Sequence, residues 1–484
     1  MQTNVKLIIY IVGSLLLMES LMMLLPAIVS AIYDEPEYLQ FIYSAVITSV
    51  VGGAMALFAR NHGRHISKQD SFIIVTMVWL FVSLFGVLPF ILTGTFDNFI
   101  DAFFEAMSGF TTTGSTMLRD CAHSLKGILF WRCLTQWIGG LGVIALSIVI
   151  LPAFGMGNTQ MFSAETSVSR FERIHPKVKE IAKFMWIIYL VLTILQVVLL
   201  MLGDMNFFES LCHSFSSIST GGFSVYNESI GYYESAYIEY VVMVFMFLGG
   251  VNFTLYYMLL KRKFDRIIGD DELRGFLFII FIVSLILATI NYTDDKYWSL
   301  ENCLRDSFFQ VISIMTGTGF YTCDYMLWSS PTLIFVALLL VSGACTGSTS
   351  GSIKIMRHII VFRSIMGELK RAMHPTAVVP VRYNGKGVGR EEVHAIMVFV
   401  LLYFFILLVG LIIMGILGYG LDDSFGLIAN SLGNIGTGIG DYGPSGSLCD
   451  LDPIAKLTMT ILMLIGRLEI YTVILLFTRG FWKR

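Results

Sequence analysis

Apolar residues in this chain come in long blocks, separated by short polar stretches. They show neither the two-residue beat of a half-buried strand nor the narrow stripe of a surface helix. A helix needs roughly 20 mostly apolar residues to cross a bilayer core. Blocks of that kind run over about 7–33, 38–59, 71–95, 127–151, 180–203, 236–260, 273–292, 331–362, 392–418 and 454–479. The pattern predicts an all-α polytopic membrane protein. The first block is too long for a leader, carries Glu19, and is followed at once by a second, so it reads as a retained helix.

Between later blocks, one short segment recurs four times. An acid stands thirteen residues before a glycine: Asp101 with Gly114, Glu209 with Gly222, Asp306 with Gly319, and Asp423 with Gly436. Six residues before each glycine stand Ser108, Ser216, Ser313 and Asn430, and four before it Phe110, Ile218, Met315 and Leu432. Each segment is too short to span. It can enter as a half-helix and return as extended backbone, which a membrane tolerates only where protein buries it or a wet cavity borders it. The reading is four pseudo-symmetric helix–pore-loop–helix repeats around a central pore, plus an N-terminal two-helix hairpin. The boundaries expected are 1–68 for the hairpin and 69–175, 176–270, 271–388 and 389–484 for repeats one to four. Each repeat crosses twice, so all four share one orientation, unlike inverted-repeat transporters.

Composition fits this picture. Of 484 residues, 56% are hydrophobic and only 14% charged, against about 25% in soluble domains. Mean hydropathy is +0.75. The net charge of −3 decides nothing, but its placement does. Basic residues follow the even-numbered spans: Arg60, Arg64 and Lys68; 170–183; 261–274; 357–390; and Arg479, Lys483 and Arg484. Acids such as Asp34, Glu228, Asp294, Asp295 and Asp450 lie opposite, with Lys126 and Arg132 as outward exceptions. The positive-inside bias puts the basic side and both termini in the cytoplasm. Seven cysteines form no CxxC, eight histidines form no HExxH, and there is no P-loop. The chain is therefore expected not to be an enzyme, to hold no cofactor, and not to be driven directly by ATP.

The loops suit a cation. An ion entering a narrow pore loses water, and rings of backbone carbonyls can replace it. Carbonyls turned inward need dihedrals that glycine allows. The pore helix's C-terminal partial charge favours a cation, and the acid at its start is expected to cap free amides. Small residues in membrane helices commonly serve close packing. Four copies in register on one side argue against that alone. The residues expected to line a filter are Thr112, Thr113 and Gly114; Thr220, Gly221 and Gly222; Thr318 and Gly319; and Ile435 and Gly436.

With Thr111-Thr112-Thr113-Gly114-Ser115, Ser219-Thr220-Gly221-Gly222-Phe223, Thr316-Gly317-Thr318-Gly319-Phe320 and Asn434-Ile435-Gly436-Thr437-Gly438, the chain resembles the potassium-transporter superfamily of bacterial TrkH and KtrB and plant HKT proteins. The likeness runs end to end, and the extra hairpin and the length look more like TrkH than KtrB. It implies K+ as the transported ion, a bacterial inner-membrane location, a homodimer with one pore per protomer, and a cytosolic nucleotide-binding regulatory ring (TrkA-like). In the family, serine at the first-loop glycine accompanies sodium transport; all four are glycine here, while Thr437 departs from a common proline.

Two further features bear on gating. Span eight is interrupted by Gly343-Ala344-Cys345-Thr346-Gly347-Ser348-Thr349-Ser350-Gly351-Ser352, followed by Lys354. Glycine costs about 1 kcal/mol each in a helix relative to alanine, so the helix should break there. The resemblance implies a gate at Gly343, Gly347, Gly351 and Lys354. Arg467 lies mid-way along span ten, where a charge usually faces water or a partner; the resemblance places it below the filter. The expected function is potassium-selective uptake driven by the electrochemical gradient. The alternative is a symporter coupled to H+ or Na+, for which Glu19 and Glu469 are the candidate intramembrane acids.

Overall fold

The computed structural model describes residues 4–61, 63, 67–153, 178–294 and 299–482. Residues 170–177 of the expected basic loop, the boundary expected between 175 and 176, and Arg64, Asp295, Lys483 and Arg484 lie outside them. The described residues are mostly helical. An N-terminal hairpin pairs Val5–Ile32, whose helix is reset at Met23, with Tyr38–Phe58. Its two arms touch through glycines. A Cβ on Gly13 would lie 2.7 Å from the Gly52 carbonyl oxygen, and one on Gly52 would lie 2.8 Å from that of Gly13. Only small residues allow membrane helices so close.

Four helix–pore helix–helix units follow. Their opening helices are Lys68–Phe85 continued by Leu88–Leu92, Val178–Met201, Asp271–Thr293 and Arg390–Ile416. Their pore helices are Phe99–Phe110, Phe207–Ile218, Leu300–Thr316 and Leu421–Gly433. Outward faces such as Leu401, Phe405 and Ile412 are exposed and apolar, as a lipid-facing surface requires.

All four closing helices break, the third at the expected glycine-rich stretch and the other three where straight spans were expected. Lys126–Ala153 kinks at Gly142 (φ 73°, ψ 147°). Ala236–Gly250 meets Phe253–Leu260 at 93°. Ser330–Val341 stops, and a new helix, Ile355–Met373, starts after the glycine-rich loop. Pro453–Arg467 meets Tyr471–Phe477 at 108°, through left-handed Glu469 and Ile470. Six helices among the described residues are long and apolar enough to span, or eight counting the two bent pairs. A run of apolar residues gives the length of a span but cannot show a break inside it.

The helix from Ile355 also extends to Met373, well past the expected end of span eight. Beyond it lies an element with no place in an all-helical reading. Arg382–Tyr383 pairs antiparallel with Lys386–Gly387. The turn is Asn384-Gly385, both at positive φ, the residue pair that two-residue hairpins favour.

Candidate functional site

The first two pore helices are capped by Asn98 and Asn206, whose side chains accept from the amides of Ile100 and Glu209 at 2.9 Å. The acids expected to cap do something else. Asp101 accepts from Lys456 Nζ at 2.6 Å. Glu209 accepts from the hydroxyls of Tyr226 at 2.8 Å and Tyr233 at 3.0 Å. Asp306 accepts from Thr322 Oγ1 at 2.9 Å, and Asp423 from the Asp441 amide at 2.7 Å. Asp306 could not cap in any case, since its helix begins at Leu300. All four side chains point across at neighbours: Glu209, Asp306 and Asp423 hold the segment that returns from their own loop, and Asp101 holds the fourth closing helix. Burial and the Glu209 carboxylate raise the pKa of the Tyr226 and Tyr233 phenols.

After each pore helix the backbone makes the same turn four times. Thr112, Thr220, Gly317 and Asn434 are left-handed, with φ of 54°, 53°, 77° and 53°. Two residues later Gly114, Gly222, Gly319 and Gly436 have φ of 88°, 81°, 79° and 88°. The amide before each of these glycines donates back into the pore helix: Thr113 to the Ser108 carbonyl (2.8 Å), Gly221 to Ser216 (2.8 Å), Thr318 to Ser313 (2.9 Å) and Ile435 to Asn430 (3.2 Å). Ser108 and Ser313 also donate to the carbonyls of Ser115 and Phe320, both at 2.6 Å. The recurring small residue is thus a brace for the loop.

The four loops close a ring. A Cβ on Gly114 would overlap the Gly221 carbonyl oxygen, one on Gly222 that of Thr318, one on Gly319 that of Ile435, and one on Gly436 that of Thr113, each at 2.7 Å or closer. Each glycine therefore abuts the carbonyl of the next repeat, and the fourth returns to the first. Asn434 Nδ2 joins the ends by donating to Thr113 Oγ1 at 2.9 Å. All ten residues expected at a filter lie in these loops. The expectation omitted Gly317 and Asn434, which the register two residues before each glycine could have supplied. It also omitted Gln136, which brackets the second loop by donating to the Gly221 carbonyl (2.7 Å) and accepting from the Phe223 amide (3.0 Å). No sequence signal marks Gln136. On one side of the ring lies a cavity of about 560 Å³ bordered by all four glycines and by Thr116, Tyr321 and Thr437 among others.

On the other side the broken helices meet. Gly343, Gly347, Gly351 and Lys354 belong to one loop, closed by the Gly343 amide donating to the Ile353 carbonyl at 2.9 Å. The loop touches the ring: a Cβ on Gly351 would overlap the Gly433 carbonyl oxygen, and Thr220 Oγ1 donates to Thr349 Oγ1 at 3.0 Å. Buried Lys354 donates from Nζ to the Ser350 carbonyl. Arg467 donates from Nη1 to the Thr349 carbonyl at 2.6 Å and from Nη2 to the carbonyls of Gly139 and Gly140. The guanidinium thus meets carbonyls freed by two helix breaks.

Glu272 holds this loop, and sequence reading missed it because an acid at a helix start looks interfacial. Its carboxylate is buried. It accepts from the Thr346 amide (2.7 Å), the Thr346 hydroxyl (2.9 Å) and the Met356 amide (3.0 Å). Tyr383 of the small hairpin donates to its other oxygen at 3.4 Å. The two acids weighed for ion coupling lie elsewhere. Glu469 pairs with Arg357 at 2.6 Å; Glu19 is buried in the N-terminal hairpin, beside Gly86.

Comparison with known proteins gives consistent matches. The TrkH family model, described as cation transport protein, matches residues 39–483. The chain is 34% identical to the Trk system potassium uptake protein TrkG of Escherichia coli strain K12, covering 99% of each chain. It is 34% identical to the Trk system potassium uptake protein TrkH of Halomonas elongata, covering 99% of this chain and 100% of that one. The crystal structure of the potassium transporter TrkH from Vibrio parahaemolyticus superimposes with a TM-score of 0.89 at 32% identity, covering 99% of this chain and 100% of that one.

Proposed function

Because this chain belongs to the TrkH family of cation transport proteins, we propose that it takes up potassium across a bacterial inner membrane through a selective pore. The four-loop ring is the filter, and the glycine-rich loop with Arg467 is the gate. The observation that carries this reading is the cyclic order in which each loop's glycine abuts the next loop's carbonyl. Such a ring offers oxygen ligands from every side and leaves no room for a side chain. Both termini face the cytoplasm, as the basic segments indicate.

The driving force is the potassium electrochemical gradient. A symporter would need a titrating acid on the path, but Glu469 is engaged by Arg357, Glu272 is engaged by Thr346 and Met356, and Glu19 belongs to the hairpin outside the ring. Reversal potential in proteoliposomes, with and without an opposing pH or sodium gradient, separates the two. A potential that follows potassium alone is expected; one that moves with the second gradient would establish coupling.

The gate reading makes Glu272 its anchor. Glu272→Ala strands two donors on the loop and the Met356 amide at the start of the helix that follows it, and each charge-assisted bond is worth roughly 1.5–3 kcal/mol. Basal flux is expected to rise several-fold. Glu272→Gln keeps an acceptor oxygen and should fall between. Equal flux in all three proteins would remove Glu272 from gating.

The relatives are named as parts of a Trk system. A homodimer that seats a separate nucleotide-binding ring on its basic face is the corresponding proposal here. Pull-down from native membranes should recover a soluble partner, and flux with the partner present should respond to added nucleotide. If purified chain alone responds fully, the partner is dispensable.

A further inference from the structure

A guanidinium is an unexpected neighbour for a ring that passes cations. Arg132 is 1% exposed and reaches two adjacent loops. Nη2 donates to Thr116 Oγ1 at 2.9 Å, two residues beyond Gly114. Nη1 donates to the Ser224 carbonyl at 3.3 Å, two beyond Gly222. The guanidinium also lies 4.3 Å from the ring centroid of Phe223. Its charge is met by Glu105 on the first pore helix, which is fully buried and accepts from Arg132 Nε at 2.6 Å. The same carboxylate accepts from the Met117 amide at 2.6 Å and from Thr116 Oγ1 at 3.0 Å.

The other repeats lack this pair. The place nine residues before the glycine holds Glu105, His213, Gln310 and Leu427 in turn. His213 repeats only the neutral part, with Nε2 3.2 Å from Ser224 Oγ. The Gln310 amide has no hydrogen-bond partner among the described residues, and leucine can make none. The ion pair is therefore an addition to the first repeat and not a requirement of the fold. A buried pair is weak evidence for stability, since apolar residues of similar volume often replace one at no cost.

We propose that Glu105 and Arg132 are positioning residues for selectivity: the pair clamps the outer limbs of the first and second loops so that their half of the ring keeps its width. This rests on reading the ring as the filter. Removing the clamp lets two of four loops spread, and a wider ring loses its preference for one ion size.

The test is the potassium-to-sodium permeability ratio, from reversal potentials of purified protein in proteoliposomes, with thermal stability measured alongside. Glu105→Gln is expected to lower the ratio roughly tenfold, about what one lost charge-assisted support is worth. Thr116→Val, which leaves the ion pair intact but removes the hydroxyl it shares, should lower it less. Because Glu105→Gln leaves a buried unpaired charge, the double variant Glu105→Leu with Arg132→Met is the control. It should regain stability without regaining the ratio. If the double variant regains both, the pair is only structural. If the ratio holds in Glu105→Gln and Thr116→Val while Gly114→Ser lowers it, the clamp is wrong and the filter reading stands. If Gly114→Ser also leaves it unchanged, the filter reading falls and takes the clamp with it.

Discussion

Gly114→Ser should reduce the potassium-to-sodium permeability ratio by about tenfold or more. The backbone there has φ 88°, where an L residue costs roughly 1–2 kcal/mol. That strain alone is small enough for the protein to fold. The larger effect is local, because a Cβ would overlap the Gly221 carbonyl oxygen of the next repeat. Gln136 already holds that carbonyl at 2.7 Å, so it cannot swing aside freely. The loops must move apart, and the ring loses the close fit that distinguishes two cations of one charge. A bi-ionic reversal potential measures the ratio directly. An unchanged ratio in protein that reaches the membrane intact would mean the ring does not select.

Arg467→Ala should raise potassium flux in the absence of any partner by about tenfold, since forked hydrogen bonds from a charged group are worth roughly 1.5–3 kcal/mol each. Arg467 ties the Thr349 carbonyl of the third closing helix to those of Gly139 and Gly140 in the first. On the proposed gate reading it also places a positive charge beside the path, where low dielectric strengthens repulsion of a cation. Arg467→Lys separates the two effects. Lysine keeps the charge but loses the planar fork. Flux near that of alanine would identify the tie as the obstacle; flux near the parent would identify the charge. Deleting residues within 343–352 should raise flux further. A fall in flux for well-folded variants would make the loop a packing element.

The four-repeat plan was legible because it is a pattern of positions. An acid, a small residue and a glycine at fixed offsets need no geometry to be counted. The same counting gave the glycine-rich break, since so many small residues cannot sustain a helix. Three things could not be read. The acids were assigned to caps because offset shows distance along a helix but not direction around it; Asn98 and Asn206, outside the counted pattern, do the capping. The breaks at Gly142 and after Arg467 were hidden because each segment is apolar on both sides of its bend. Glu272, Gln136 and the Glu105–Arg132 pair were missed because each acts on backbone groups far away in sequence. No periodicity records such a partner.

Ring closure within a single polypeptide has a consequence in time. The bond between Asn434 and Thr113 joins residues 321 positions apart. At a synthesis rate of roughly 5–20 residues per second, the first loop is made on the order of half a minute before its last neighbour. Late in that interval, when three loops have been made, the first and third each have one flank unpartnered, and the Thr113 carbonyl lacks the glycine that later packs against it. A ribosome stalled before the fourth repeat would leave an incomplete circle, which a nascent-chain crosslinking series could trap. Contacts of such long sequence separation form late, so the conduction path itself should be among the last parts of this protein to mature.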